Sequence, residues 1–206
     1  MTKEPNRQER KKAQTRGLIF ETAMELFLKQ GYDDTTVEQI VAKADVAKGT
    51  FFNHFPTKDA ILSELGRQRV ELAEVLLRKE FSVLSSAQEK IICLLEVFGQ
   101  VNEENKEITE LVLRHMFVQM FSDIEQEKQN QQQFILVIEG LVSEGQVQGE
   151  FVNNVEPRHV AEIIAGMYFF TLYQWVQGEL ENSLRQELLA RTNIILRGIQ
   201  ARQKME

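Results

Sequence analysis

At 206 residues, with three prolines and eleven glycines, the chain has room for one compact body and a small appended unit. Its strand-forming residues never settle into sustained alternation, so an all-α fold is expected and a sheet is not. A net charge of −7 argues against general nucleic-acid binding, but it is unevenly spread: residues 1–60 hold 10 basic and 9 acidic side chains, the remainder 14 against 22.

A basic run opens the chain, where Arg7, Arg10, Lys11, Lys12 and Arg16 form a candidate phosphate-contacting arm. The first helix is predicted from about Gln8 to Gln30, with Ile19, Ala23, Leu26 and Phe27 on one face and Gly31 as a left-handed stop. Thr35 and Thr36 each precede an acid or amide by three residues, the capping-box spacing, so a second helix should carry Val37, Ile40 and Val41 inward and end near Ala44. Asp45-Val46 makes a tight turn, a third helix follows from about Ala47 to His54, and Phe55-Pro56-Thr57 breaks the chain. A long amphipathic helix is expected from Thr57 to Lys79, then one capped by Ser85 or Ser86 that holds Ile91, Leu94, Leu95 and Phe98, then one over Glu103–Phe121. The Gln-rich stretch Glu125–Gln133 feeds an apolar half, Phe134–Val142; Gly145–Gly149 reads as a loop; and helices over Glu156–Gln177 and Leu180–Gln203 should form an antiparallel hairpin. The longest apolar stretch, Ile163 to Val176, is too short for a membrane span, and no apolar segment follows the charged start as in a signal peptide. A lone Cys93 permits no internal disulfide, which points to a reducing, cytoplasmic setting without a membrane partner.

Two short helices joined by a brief turn and braced by a preceding helix form the helix-turn-helix layout, here at about residues 36–55. Lys48, Thr50 and Asn53 can project from the second helix as charge, hydroxyl and amide, Gly49 lets that helix lie close to its surroundings, and Val46, Phe51 and Phe55 anchor it. His54 is either a phosphate contact or a histidine packed beside Phe55, and Lys58, a cation at a helix start, is better explained by a phosphate than by helix stability. At this point the sequence resembles the TetR family of transcriptional regulators, through Arg16, Ile19, Ala23, Phe27, Gly31-Tyr32, Thr35-Thr36-Val37, Ile40, Ala44, Val46, Gly49-Thr50-Phe51, His54-Phe55 and Lys58. The resemblance implies an N-terminal three-helix DNA-binding domain, residues 1–58, followed by a helical bundle, residues 59–206, for effector binding and dimerisation. It further implies that Thr36 touches phosphate as well as capping its helix. Two residues depart from the family pattern: Phe52 replaces a phosphate-reaching tyrosine and Ala47 a capping serine or threonine, a loss of about 1 kcal/mol. Asp45 stands where glycine is usual, which aspartate tolerates because it visits the left-handed region readily.

The helix from Ile163 to Val176 is apolar nearly all round and must bury two sides. Ile164, Tyr168 and Leu172, with Leu184, Leu188, Ile195 and Ile199 of the last helix, are the candidate homodimer face, which would set two recognition helices about 34 Å apart on an operator duplex. Phe98, Met116, Phe117, Met120, Met167, Phe170, Tyr173 and Trp175 are the candidate walls of a small-molecule effector pocket. No catalytic residue, metal ligand or cofactor is expected. Glu156-Pro157-Arg158-His159 spells one Glu-x-x-His pair of a di-iron bundle, but His115 follows Val112 by three residues and His54 lies in the helix-turn-helix, so no second pair completes it. The expectation is a repressor released from a palindromic operator by a small, largely apolar effector; the alternative is a helical ligand- or protein-binding module whose head no longer binds DNA.

Overall fold

The computed structural model describes residues 6–79, 81–119 and 125–201. Nine α-helices lie among them: α1 Arg7–Gln30, α2 Val37–Lys43, α3 Lys48–His54, α4 Asp59–Lys79, α5 Ala87–Glu104, α6 Lys106–Gln119, α7 Glu125–Val147, α8 Pro157–Gln177 and α9 Leu184–Ile199. An isolated antiparallel bridge between Phe151 and Gln200 is the extended pairing among the described residues. The fold is all-α, as the composition predicts.

The chain divides into two compact units, 1–65 and 66–206. The first unit ends seven residues later than the 58/59 boundary read from the sequence, and Ile61 and Leu62, in the first turns of α4, are buried side chains belonging to it.

In the first unit, Asn6 and Glu9 close a capping box on α1, so the helix starts at Arg7. Ile19, Ala23, Leu26 and Phe27 bury its apolar face as expected. Gly31 ends α1 with φ 88° and ψ 156°, outside the left-handed helical region predicted for it and in a region reached essentially by glycine alone. The chain therefore leaves α1 extended instead of curling back. Thr36 caps α2 in a second capping box with Gln39, and Asp45 takes φ 51° in the turn, the left-handed conformation its side chain tolerates.

In the second unit, α7 packs along α8 and α5 along α9 around Ile91, Leu94, Leu95, Ile138, Ile164 and Leu188. Buried Asn102 ties this interior together, donating to the Phe98 carbonyl at 2.6 Å and to the Tyr168 hydroxyl at 3.0 Å while accepting from the Thr109 hydroxyl at 3.0 Å. Gly145 is not in a loop: α7 continues to Val147, and a side chain at Gly145 would sit 2.4 Å from the Phe151 ring, so the glycine admits that ring against the helix. Just beyond, the Glu150 carboxylate accepts from the Ser86 hydroxyl at 2.8 Å and from the backbone N–H groups of Ala87 at 3.0 Å and Gln88 at 3.1 Å, closing the start of α5. The last helix begins at Leu184 and not Leu180, because Ser183 and Gln186 form its capping box.

Candidate DNA-binding surface and ligand cleft

The α2–turn–α3 segment presents α3 on two apolar anchors, Phe51 and Phe55, both fully buried with ring centroids 6.1 Å apart. Lys48, Gly49 and Asn53 are exposed on the opposite side and Thr50 is half-buried beside them. Lys48 pairs with Glu38 of α2, but both side chains are mostly exposed, so the pair is weak and readily exchanged for another anion. A side chain at Gly49 would meet no atom of the first unit or of any other described part of the protein within 4 Å. The close approach expected of this glycine therefore has no internal counterpart. As the sequence predicts, Ala47 gives α3 no side-chain cap, and Phe52 leaves 44% of its surface exposed.

Three residues assigned to phosphate have internal work. Arg16 donates to the His54 carbonyl at 2.7 Å and to the Glu64 carboxylate at 2.6 Å, and its guanidinium lies 4.4 Å from the Phe55 ring centroid. It is a clamp on the end of α3 and not part of a free arm, which corrects its place among the arm residues. Lys58 donates to the carbonyls of Tyr32 at 2.7 Å and Thr35 at 2.9 Å and sits 4.0 Å above the Tyr32 ring, so two of its three donors are in use. The same tyrosine donates its hydroxyl to Asp59; burial first, and then that carboxylate, push the phenol's pKa up. His54 is half-buried, and burial, then Arg16, then Lys12 hold its imidazole below the ordinary histidine range, so near neutral pH it offers a neutral ring to any phosphate. Thr36 accepts from the Gln39 N–H at 3.2 Å, the capping role foreseen for it. Arg7, Arg10, Lys11 and Lys12 are exposed on the first turns of α1, with Arg7, Arg10 and Lys11 at the i, i+3 and i+4 positions of one side.

In the second unit a cleft of about 610 Å³ opens between α6, α7 and α8. Of the residues predicted for an effector pocket, Met116, Phe117, Phe170 and Tyr173 line it. Phe98 is instead in the core, 5.5 Å from the Phe134 ring, and Met167 packs on that core with its carbonyl accepting from Thr171 at 2.7 Å. Trp175 is also packed against the core, with the Lys106 ammonium 5.1 Å from its ring. Met120 falls outside the described residues. Sequence reasoning missed Leu113, Ile135, Glu162, Ala165, Gly166 and Phe169. A signal for four of them existed: Glu162, Ala165, Gly166 and Phe169, with Phe170 and Tyr173, follow the three-to-four-residue spacing of one stripe on α8.

The candidate dimer face needs a larger correction. Ile164, Tyr168, Leu172, Leu184 and Leu188 are buried inside the chain's own core, so these five are not offered to a partner, whereas Ile195 and Ile199 pack against that core and are only partly buried. A helix apolar on every side gives no sequence cue to its inward face: on α8 Ile163 and the cleft-lining Phe170 are each 58% exposed, and on α9 Ile194, neighbour of the predicted Ile195, is 72% exposed.

Residues 19–65 match the model of the bacterial regulatory proteins of the tetR family. The chain is 26% identical over 173 residues to the HTH-type transcriptional repressor BepR of Brucella suis biovar 1, covering 81% of this chain and 83% of that protein. It is 24% identical over 181 residues to the fatty acid metabolism regulator protein of Bacillus subtilis, covering 86% and 90%. Among solved structures it is similar to Thermus thermophilus FadR, a TetR-family transcriptional repressor in complex with lauroyl-CoA, with a TM-score of 0.76, 23% identity, and coverage of 93% of this chain and 98% of that one. The matched stretch contains α2, the turn and α3, so residues 19–65 of this chain are a DNA-binding segment of the TetR family of transcriptional regulators.

Proposed function

We propose that the chain is a homodimeric repressor that grips a palindromic operator through α3 and leaves it when a small, largely apolar effector fills the cleft between α6, α7 and α8. The observation that carries this reading is the two-sided character of α3, whose Phe51 and Phe55 anchors are fully buried while Lys48 and Asn53 are exposed with Thr50 beside them. That outer face offers an ammonium, a hydroxyl and an amide to the base edges and phosphates of a groove. A second copy covering Ile163 and Ile194 would bury their exposed surface and set two α3 helices on successive major grooves. The BepR and FadR relatives, named as repressors, support the sign of regulation, and the lauroyl-CoA bound to FadR supports a ligand site in a body of this fold. No described helix is long and apolar enough to cross a membrane, which, with the lone Cys93, supports a cytoplasmic location.

The alternative, a ligand-binding module with a retired head, draws on uncapped Ala47 and on Phe52 in place of a polar residue. Selection of bound duplexes from a random pool separates the two. A palindromic consensus whose affinity falls steeply with salt is the expected result; no enrichment at low salt would leave the module reading in its place. In the enriched duplex, Asn53→Ala should relax sequence preference at one position of each half-site, whereas removing Lys11 should weaken binding evenly and flatten the salt slope.

A further inference from the structure

We infer that the effector cleft takes a lipophilic organic cation, with its rings against Phe117, Phe169, Phe170 and Tyr173 and its charge beside Glu162. This rests on the reading of the cleft as the effector site. Among the described lining residues Glu162 is the charged one, and the rest are apolar or aromatic apart from Gly166. Its carboxylate shares a single guanidinium with a second acid: Arg158 reaches Glu162 at 2.9 Å through Nε and Glu139 at 3.3 Å through Nη1. Two carboxylates on one cation leave one negative charge over at the edge of an aromatic-walled space, and Glu139 would keep hold of Arg158 if Glu162 turned to a ligand. Gly166 lies one turn beyond Glu162 on the same stripe, and no atom stands within 4 Å of where its side chain would be, so the cleft has room on that stripe next to the acid. Ring faces attract cations, and a carboxylate beside them adds charge complementarity. An acyl thioester with an anionic headgroup meets no basic side chain among the described lining residues, and a neutral hydrocarbon makes no use of the acid.

The test uses the full chain, calorimetry, and three probes: tetraphenylphosphonium, its anionic counterpart of like shape tetraphenylborate, and lauroyl-CoA. The phosphonium should bind once per chain, about tenfold more tightly than either anion, with Glu162→Gln lowering its affinity about fivefold and leaving the borate unchanged. Phe117→Ala should weaken it as well. Glu162 and Phe117 are exposed side chains, so both variants are expected to keep the parent's thermal midpoint. Tighter binding of either anion, lost on Phe117→Ala, would overturn the cation assignment while keeping the cleft as the effector site. Phosphonium binding indifferent to both substitutions would place the cation elsewhere and overturn the proposal. Should none of the probes bind, with operator affinity unmoved by any of them, the effector-site reading would fail along with it.

Discussion

The head, residues 1–65, and the body, residues 66–206, hold their helices by different means. In the head, charged side chains reach across the chain to backbone carbonyls: Arg16 to His54, and Lys58 to Tyr32 and Thr35. In the body, a large apolar interior does most of the holding, and polar groups serve at a few defined points such as Asn102 and the Glu150 closure of α5. The contrast warns against reading residue type as role. A basic residue in a DNA-binding head can be structural, and an apolar residue on the last helical hairpin can belong to the chain's own core.

The sharpest way to break this contrast is Arg16→Ala. It removes both hydrogen bonds and the ring contact and takes the guanidinium away from the buried Glu64 carboxylate, an expected loss of about 3 kcal/mol. Urea titration of the head's signal reads it. Operator affinity should drop with an unchanged salt slope, because a clamp and not a phosphate contact is lost. Were the slope to flatten with stability intact, Arg16 would return to the arm.

Glu150→Ala is the matching perturbation of the body. Three donors at the start of α5 lose their acceptor, for an expected cost of about 2 kcal/mol. Thermal unfolding should show it, while the folded fraction binds operator as before. A smaller gain is expected from Ala47→Ser, which restores a cap to α3 and should add about 1 kcal/mol; no gain would mean the helix start is satisfied by other groups.

The smallest effect concerns pH. His54 has its pKa below the ordinary range, so as pH falls the unfolded chain takes up that proton first. Its contribution to stability is full above the ordinary histidine range and declines through it. Between about pH 7.5 and about pH 5.5, His54→Gln should lose less stability than the parent. Parallel curves would place the titration elsewhere.

How much of this was legible beforehand follows from how local each rule is. The Thr36–Gln39 box, the left-handed Asp45 and the Phe51 and Phe55 anchors depend on neighbours a few residues away, and the sequence displays them. Arg16 and Glu64 are separated by 48 positions, so their pairing has no local sign. Gly145 carries the usual mark of a loop, yet its missing side chain serves the Phe151 ring from inside a helix. Choosing Ile164 over Ile163 as outward-facing required a direction that an all-apolar helix does not encode. The cleft was half legible, because aromatic and methionine content marks candidates without saying which of them the core will claim.

The bridge between Phe151 and Gln200 bears on how the protein can be handled. Val152 donates to the Ile199 carbonyl at 2.8 Å and Ala201 to the Glu150 carbonyl at 2.9 Å, so the end of the chain braces the very residue that caps α5. A reporter or purification tag joined before residue 201 would cut one of those braces and loosen the body from a site far along the sequence. Joined after it, the same tag leaves both bonds in place.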